Sequence, residues 1–164
     1  MEDTRSIYFT SRKNYIKCFL LREHEWYIYK FQKLLRNEEK ASLYMIKSYY
    51  RWKKNMLGRK LGFTIPAGVF GDNLRIWHFG NIVVNGCSCI GGGCTLHGDN
   101  CIGNDGKSNV CPVIGNNVDI GVGAKLIGDI VIADDIVIGA GAVVVSSFTE
   151  PGITIGGVPA RRIS

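Results

Sequence analysis

Between Val84 and Val144 an aliphatic residue returns every six positions: Val84, Ile90, Leu96, Ile102, Ile114, Ile120, Leu126, Ile132, Ile138 and Val144, with the polar Ser108 in the slot that is missed. A helix face repeats every 3.6 or so residues and a strand face about every 2, so neither produces this spacing. Six-residue repeats mark a parallel β-helix, in which each repeat is a short strand plus a turn and stacked coils bury one aliphatic column. Gly91, Gly103, Gly115, Gly121 and Gly139 each follow the aliphatic residue, where a tight corner leaves no room for a side chain. From Phe63 to Asn85, short apolar pieces around Pro66, Gly68, Gly71 and Gly80 predict the first coils. Upstream the spacing turns helical. Ile16, Phe19, Leu20, Tyr27, Phe31, Leu34 and Leu35 predict a helix from about Ser11 to Arg36. Asn37 to Lys40 reads as a break, and Leu43, Ile46, Tyr50 and Met56 predict a second helix that Gly58 ends. The expected fold is mainly β: a basic helical segment over residues 1–62, then a β-helix over 63–164 with a short basic tail.

Composition sharpens that division. Residues 1–62 carry fifteen Lys and Arg against six Asp and Glu, with 12 of the 17 aromatic residues and two glycines. Residues 63–164 carry five against eight, with 19 glycines. The basic helices read as a solvated surface, or as a patch for an anionic membrane or an acidic glycan. No recognition motif accompanies the charge, so nucleic acid is not expected as a partner. Five of the six cysteines lie in or beside the repeats, none in a CxxC pair or zinc spacing, and Met1-Glu2-Asp3 does not open a secretory signal. A reduced cytoplasm is expected, with any membrane contact peripheral at its inner face, and no metal.

The six-residue array, Trp77-His78-Phe79-Gly80-Asn81-Ile82-Val83-Val84, the GNDGK of 103–107, the IGVGAKLIGDI of 120–130 and the closing GVPAR of 157–161 together resemble the serine acetyltransferase family of hexapeptide-repeat acyltransferases, in particular its short, polysaccharide-cluster members. The resemblance covers roughly residues 57–163. It implies a left-handed parallel β-helix, a homotrimer, acetyl-CoA as donor, and active sites in the grooves between subunits. A hydroxyl attacking a thioester must lose its proton to a base of near-neutral pKa, for which histidine is suited. His78 matches the family's catalytic histidine. His97 lies 19 residues on, about one 18-residue coil, so both imidazoles are expected near one corner of adjacent coils. Each also has a plainer reading as a polar turn residue. His24 falls on the first helix, as a surface residue.

For the donor, the resemblance carries to Gly103, Asn104 and Asp105, and to Val122 and Ala140 on successive coils. Lys125, Arg161 and Arg162 are candidate partners for the phosphates. The sequence also departs from the family. Phe63 stands where an Asp orients the catalytic histidine, Trp77 replaces the Asp before it, and Val110-Cys111-Pro112 replaces an Arg-His-Pro. With both charges that would bind an amino acid missing, Trp77 offers a face for a sugar ring, and Asp72, Asn73 and Asn81 are candidate acceptor contacts. Cys111 reads as a packing residue. The expected activity is acetyl transfer to a hydroxyl of a sugar or surface-polysaccharide precursor. The alternatives are L-serine acetylation and a non-catalytic β-helix scaffold.

Overall fold

The computed structural model describes residues 23–164, so the predicted helical residues 11–22 lie outside the described part. Two helices, α1 (Glu23–Lys40) and α2 (Tyr44–Leu61), are followed by fourteen short strands. Helix α1 buries Ile28, Phe31 and Leu35, one stripe at helical spacing, and α2 buries Leu57 and Leu61. The predicted break at Asn37 to Lys40 is absent. Those residues complete α1 because its carboxylates are held: Glu38 reaches Arg51 at 2.8 Å and Lys54 at 3.0 Å, and Glu39 accepts from the Gly68 amide. Nor does Gly58 end α2. It lies buried beneath Phe31 and Phe63, where a Cβ would come within 2.6 Å of the Phe63 carbonyl oxygen. The helix runs three residues further to Leu61 and is capped by Gly62, whose left-handed φ of 80° suits a glycine C-cap.

The strands stack into three parallel sheets. The first comprises β1 (Phe63–Thr64), β3 (Ile82–Val84), β6 (Cys101–Gly103), β9 (Lys125–Ile127) and β12 (Val143–Val144). The second comprises β4 (Cys89–Ile90), β7 (Val113–Ile114) and β10 (Val131–Ile132), with Phe70 and Phe148 bridging at its two ends. The third comprises β2 (Arg75–Ile76), β5 (Thr95–Leu96), β8 (Asp119–Ile120), β11 (Val137–Ile138), β13 (Thr154–Gly156) and the antiparallel β14 (Arg161–Arg162). Each coil crosses the three sheets in turn. The prism therefore has three edges, here called I (first to second sheet), II (second to third) and III (third to first). Its interior is the predicted column, with Leu96, Ile102, Ile120, Leu126, Ile132, Ile138 and Val144 all essentially inaccessible. Gln32 caps the open end by donating to the Leu74 carbonyl at 2.8 Å, and Arg36 donates to that of Gly71.

Two of the departures from an 18-residue coil shape edges I and III. Ile102 pairs beside Leu126, 24 residues on, and Ile90 beside Ile114. Residues 104–112 thus leave the prism at edge I as a loop, and Ser108 belongs to that loop rather than to a degenerate strand. The period survives because the excursion is itself one repeat long. On edge III, Ile76 pairs beside Leu96 at an offset of 20, whereas Val84 pairs beside Ile102 at 18. The corner 77–81 therefore holds two residues more than the corner stacked on it, and it bulges.

Candidate active site

The bulged corner carries Trp77, His78, Phe79 and Asn81, all exposed. Its extra length changes the expected alignment of the histidines. Continuing the β2–β5 register places Trp77, not His78, beside His97, and the two rings stack with centroids 4.5 Å apart. His78 stands one step further on, beside Gly98, where a Cβ would meet its own at 3.5 Å. Both imidazoles still occupy edge III, on adjacent coils. Among the described residues His78 shows no side-chain hydrogen bond. His97 is held.

The holding group is Asp119, which the sequence reading did not single out. Its Oδ1 lies 2.6 Å from His97 Nε2. Asp119 sits on β8 immediately before a buried isoleucine, so it points outward from the third sheet, as do Thr95 on the neighbouring β5 and His97 just after that strand. The clue in the sequence was the 22-residue separation from His97. On a coil of 24 that is one coil on and two residues back, the same face. On a coil of 18 it points elsewhere. An ionised carboxylate only accepts, so the proton of His97 belongs on Nε2 and Nδ1 remains the basic nitrogen. Trp77 covers one ring face. The arrangement is an oriented, partly exposed imidazole: His97 is 24% accessible and Asp119 45%.

The coenzyme candidates divide between two edges. Val122 and Ala140 lie in register on edge III, both exposed, directly beyond His97, and the Gly141 amide donates to the Val122 carbonyl between them at 2.8 Å. Gly103, Asn104 and Asp105 open the loop on edge I instead. That loop is braced: Asp105 Oδ1 accepts the amides of Lys107 and Ser108, Asn104 donates to the Ser108 carbonyl, and Asn85 donates to Asn104. The Ser108 and Lys107 amides, in that order, hold the Asp105 carboxyl below the usual carboxylate range. Lys125 Nζ is engaged by the carbonyls of Asp99 and Gly123, which points it along edge III. Arg161 and Arg162 lie exposed on β14, Arg162 paired with Glu150 at 2.6 Å. Of the three cations Arg161 is the least committed to neighbours, donating to the Ala160 carbonyl at 3.0 Å.

Asp72 and Asn73 do not flank His78 as expected. They form the edge II corner before β2, and the strand between carries them roughly 15 Å from His78. Asn73 has a φ of 61°, a turn conformation that asparagine tolerates, and Asp72 faces Arg36 at 3.5 Å. Of the predicted acceptor contacts, Trp77 and Asn81 remain beside the imidazoles. Cys111 is buried at the end of the edge I loop, and Cys94 lies in the core, where burial pushes its thiol pKa up. Among the described residues no group of three or more His, Cys, Asp or Glu is placed to hold a metal ion.

Three parallel sheets on a six-residue period, with imidazoles along one edge, define a hexapeptide-repeat β-helix of the kind found in acyltransferases. The particular likeness is to serine acetyltransferases and their relatives, in the same left-handed fold. The chain is 36% identical over 101 residues to the serine acetyltransferase of Helicobacter pylori strain J99, covering 60% of this chain and 58% of the relative. It is 33% identical over 97 residues to WcaB of Escherichia coli K12, a protein assigned as a colanic acid biosynthesis acetyltransferase, covering 58% and 60%. It superposes on Neisseria gonorrhoeae serine acetyltransferase in complex with serine with a TM-score of 0.69 and 28% identity, over 81% of this chain and 55% of that one. A Brucella abortus serine acetyltransferase in complex with coenzyme A gives 0.63 and 26%, over 83% and 55%. The matched stretches thus span little more than half of these relatives. No family profile matches the chain.

Proposed function

We propose that this chain is an acetyl-CoA-dependent O-acetyltransferase that acts on a hydroxyl of a sugar or surface-polysaccharide precursor. The observation that carries the reading is the His97–Asp119 pair on edge III, beside His78 and in line with the exposed small-residue corners at Val122 and Ala140. The acceptor hydroxyl gives its proton to the imidazole as its oxygen bonds to the thioester carbonyl carbon. The carbon–sulfur bond then breaks, and the departing coenzyme A thiolate takes the proton up. His97 is the imidazole held ready for this, with Nδ1 as base. His78, one step along the edge, is assigned the acceptor hydroxyl as a hydrogen-bond partner. A scaffold without chemistry has no use for an oriented imidazole at this position.

The acceptor follows from what stands around that imidazole. Selective binding of a free amino acid calls for an anion and a cation at fixed positions. The two charges that the serine enzymes place nearby correspond to Trp77 and Val110. An indole presents an apolar face with one N–H, a surface on which a sugar ring can lie. The likeness to a serine acetyltransferase bound to serine keeps L-serine as the second reading.

The coenzyme groups on edges I and III cannot converge within one prism, which supports a homotrimer in which one chain's loop meets its neighbour's edge III. Exposed Val83, Val113, Val131 and Val137 on the flat faces provide apolar surface for such contacts. The reaction is assigned to the cytoplasm, where free thiols such as the five described here persist. The test is a purified-protein screen that follows thiol release from acetyl-CoA with L-serine, hexoses, amino sugars and oligosaccharides at equal concentration. A sugar acceptor is expected to lead. L-Serine ahead by about tenfold in kcat/KM, about 1.4 kcal/mol in transition-state discrimination, overturns the sugar reading. No thiol release with any acceptor overturns the enzyme.

A further inference from the structure

We infer that the outward face of α2 seats this protein on the surface of an anionic lipid bilayer. The stripe of an amphipathic helix that faces away from its core is ordinarily polar. Opposite the buried Lys54, Leu57 and Leu61, α2 instead presents Met45, Tyr49, Trp52 and Met56, spaced four, three and four residues apart and 82%, 49%, 59% and 41% exposed. Leu43 and Tyr44, at the helix start, are exposed as well.

Cations border the stripe on both sides, Lys53 and Lys60 on one and Arg59 on the other. Lys53 Nζ lies 4.5 Å from the centre of the Tyr49 ring, and an Arg59 nitrogen lies 2.8 Å from Met56 Sδ. The helix holds six Lys and Arg and no acid. Two of the six, Arg51 and Lys54, are paired with Glu38. Among the described residues no carboxylate pairs with Lys47, Lys53, Arg59 or Lys60.

The combination selects the partner. A soluble polyanion would use the cations and leave the aromatic and methionine side chains in water. A second copy of the same face would bring like charges together. At an anionic bilayer, Trp and Tyr settle at headgroup level with their apolar bodies in the acyl boundary, while Lys and Arg meet the phosphates. No described helix is long and apolar enough to cross a membrane, so the contact is with the surface. This inference is independent of the acetyl-transfer reading.

The test is co-sedimentation of the full chain with vesicles of phosphatidylcholine alone and with about one third phosphatidylglycerol. Binding is expected only to the anionic vesicles, weakened by salt, with a blue shift of Trp52 emission taken as the difference between the native chain and Trp52→Phe. The double variants Tyr49→Ser/Trp52→Ser and Lys53→Glu/Lys60→Glu are each expected to lower partitioning by at least about tenfold while the circular dichroism spectrum stays native. Absent binding, equal binding to neutral vesicles, or native partitioning of the aromatic variant overturns the inference. So does binding to soluble polygalacturonate as tight as to vesicles. A smaller particle for the aromatic variant in light scattering identifies a second copy as the occupant, and Trp52 closed to acrylamide before vesicles are added shows the face covered by the chain itself. Either result also overturns it.

Discussion

Replacing Asp119 by asparagine tests the proposed chemistry with the least disturbance of the fold. The substitution keeps size and shape but removes the charge 2.6 Å from His97 Nε2. In the resting protein the pair is partly solvated, so its worth to stability is that of a surface ion pair, about 1 kcal/mol or less. A chain of this size then loses no more than about 4 °C in Tm. The transition state differs, because His97 becomes an imidazolium. Two unit charges about 4 Å apart interact by about 1 kcal/mol in bulk water and about 4 kcal/mol at the effective dielectric of a protein surface. With His97 24% and Asp119 45% accessible, an intermediate value of about 2 to 3 kcal/mol applies. At about 1.4 kcal/mol per decade this is a loss of roughly 30- to 150-fold in kcat. The amide also can donate to Nε2, which favours the wrong tautomer and adds to the loss. The assay is thiol release with the best acceptor of the screen, beside a thermal melt. Turnover within about threefold of native, in a chain that melts normally, refutes the role given to Asp119.

Three further outcomes are expected. His97→Ala lowers turnover by about 10²- to 10⁴-fold, the worth of a positioned base, while His78→Ala costs nearer tenfold; steady-state rates that reverse this order move the base to His78. Gly121→Ala lowers the melting temperature by several degrees, because its Cβ would come within 2.6 Å of the Ile138 carbonyl and 2.7 Å of the Ala140 amide on the next coil, and a cost of about 1 to 3 kcal/mol follows; an unchanged melt contradicts that packing. Burial alone would raise the Glu38 pKa, but Arg51 and Lys54 outweigh it and hold the carboxyl below its ordinary value. Its stabilisation is therefore present above the unfolded-state pKa of about 4.3 and is lost as pH falls through the lower folded value; a Glu38→Gln chain whose stability keeps the same acid limb as the native chain refutes the linkage.

The column was legible because its period belongs to neither common element: every aliphatic residue from Val84 to Val144 in the six-residue register lies inside the prism. Ser108 misled because the inserted loop is one repeat long, so the counting stayed in phase across a segment that leaves the coil. The same loop hid Asp119. With 18 residues per coil it has no relation to His97, and with 24 it shares a face. The two extra residues at Trp77 to Asn81 shifted the expected partner of His97 from His78 to Trp77, and spacing alone does not reveal which corner of a coil absorbs an insertion. At the helices the errors had another source. Asn37 to Lys40 and Gly58 look like breaks by local propensity, but tertiary contacts override it: Glu38 is held by a pair of cations on α2, and Gly58 is required by the close approach of Phe31 and Phe63.

The two irregular corners together explain how a repetitive scaffold acquires a site. A regular prism offers the same short corner on every coil, too uniform to define one reacting position. The bulge lifts His78 and Trp77 out of edge III at a single level, and Trp77 folds back over His97 on the next coil. Asp119, one coil further, fixes His97 from below. The proposed chemistry is thereby confined to the levels of β2, β5 and β8, while the edge beyond carries the exposed Val122 and Ala140. The long loop departs from the first-sheet edge at the level of β6 and β9, within one coil of the imidazoles along the axis but on a different edge. Edges I and III border opposite sides of the first sheet, so within one chain the loop and the imidazoles stand a sheet's width apart. In the proposed homotrimer a neighbouring chain supplies that loop instead, so that the insertion on one chain faces the bulge on the next.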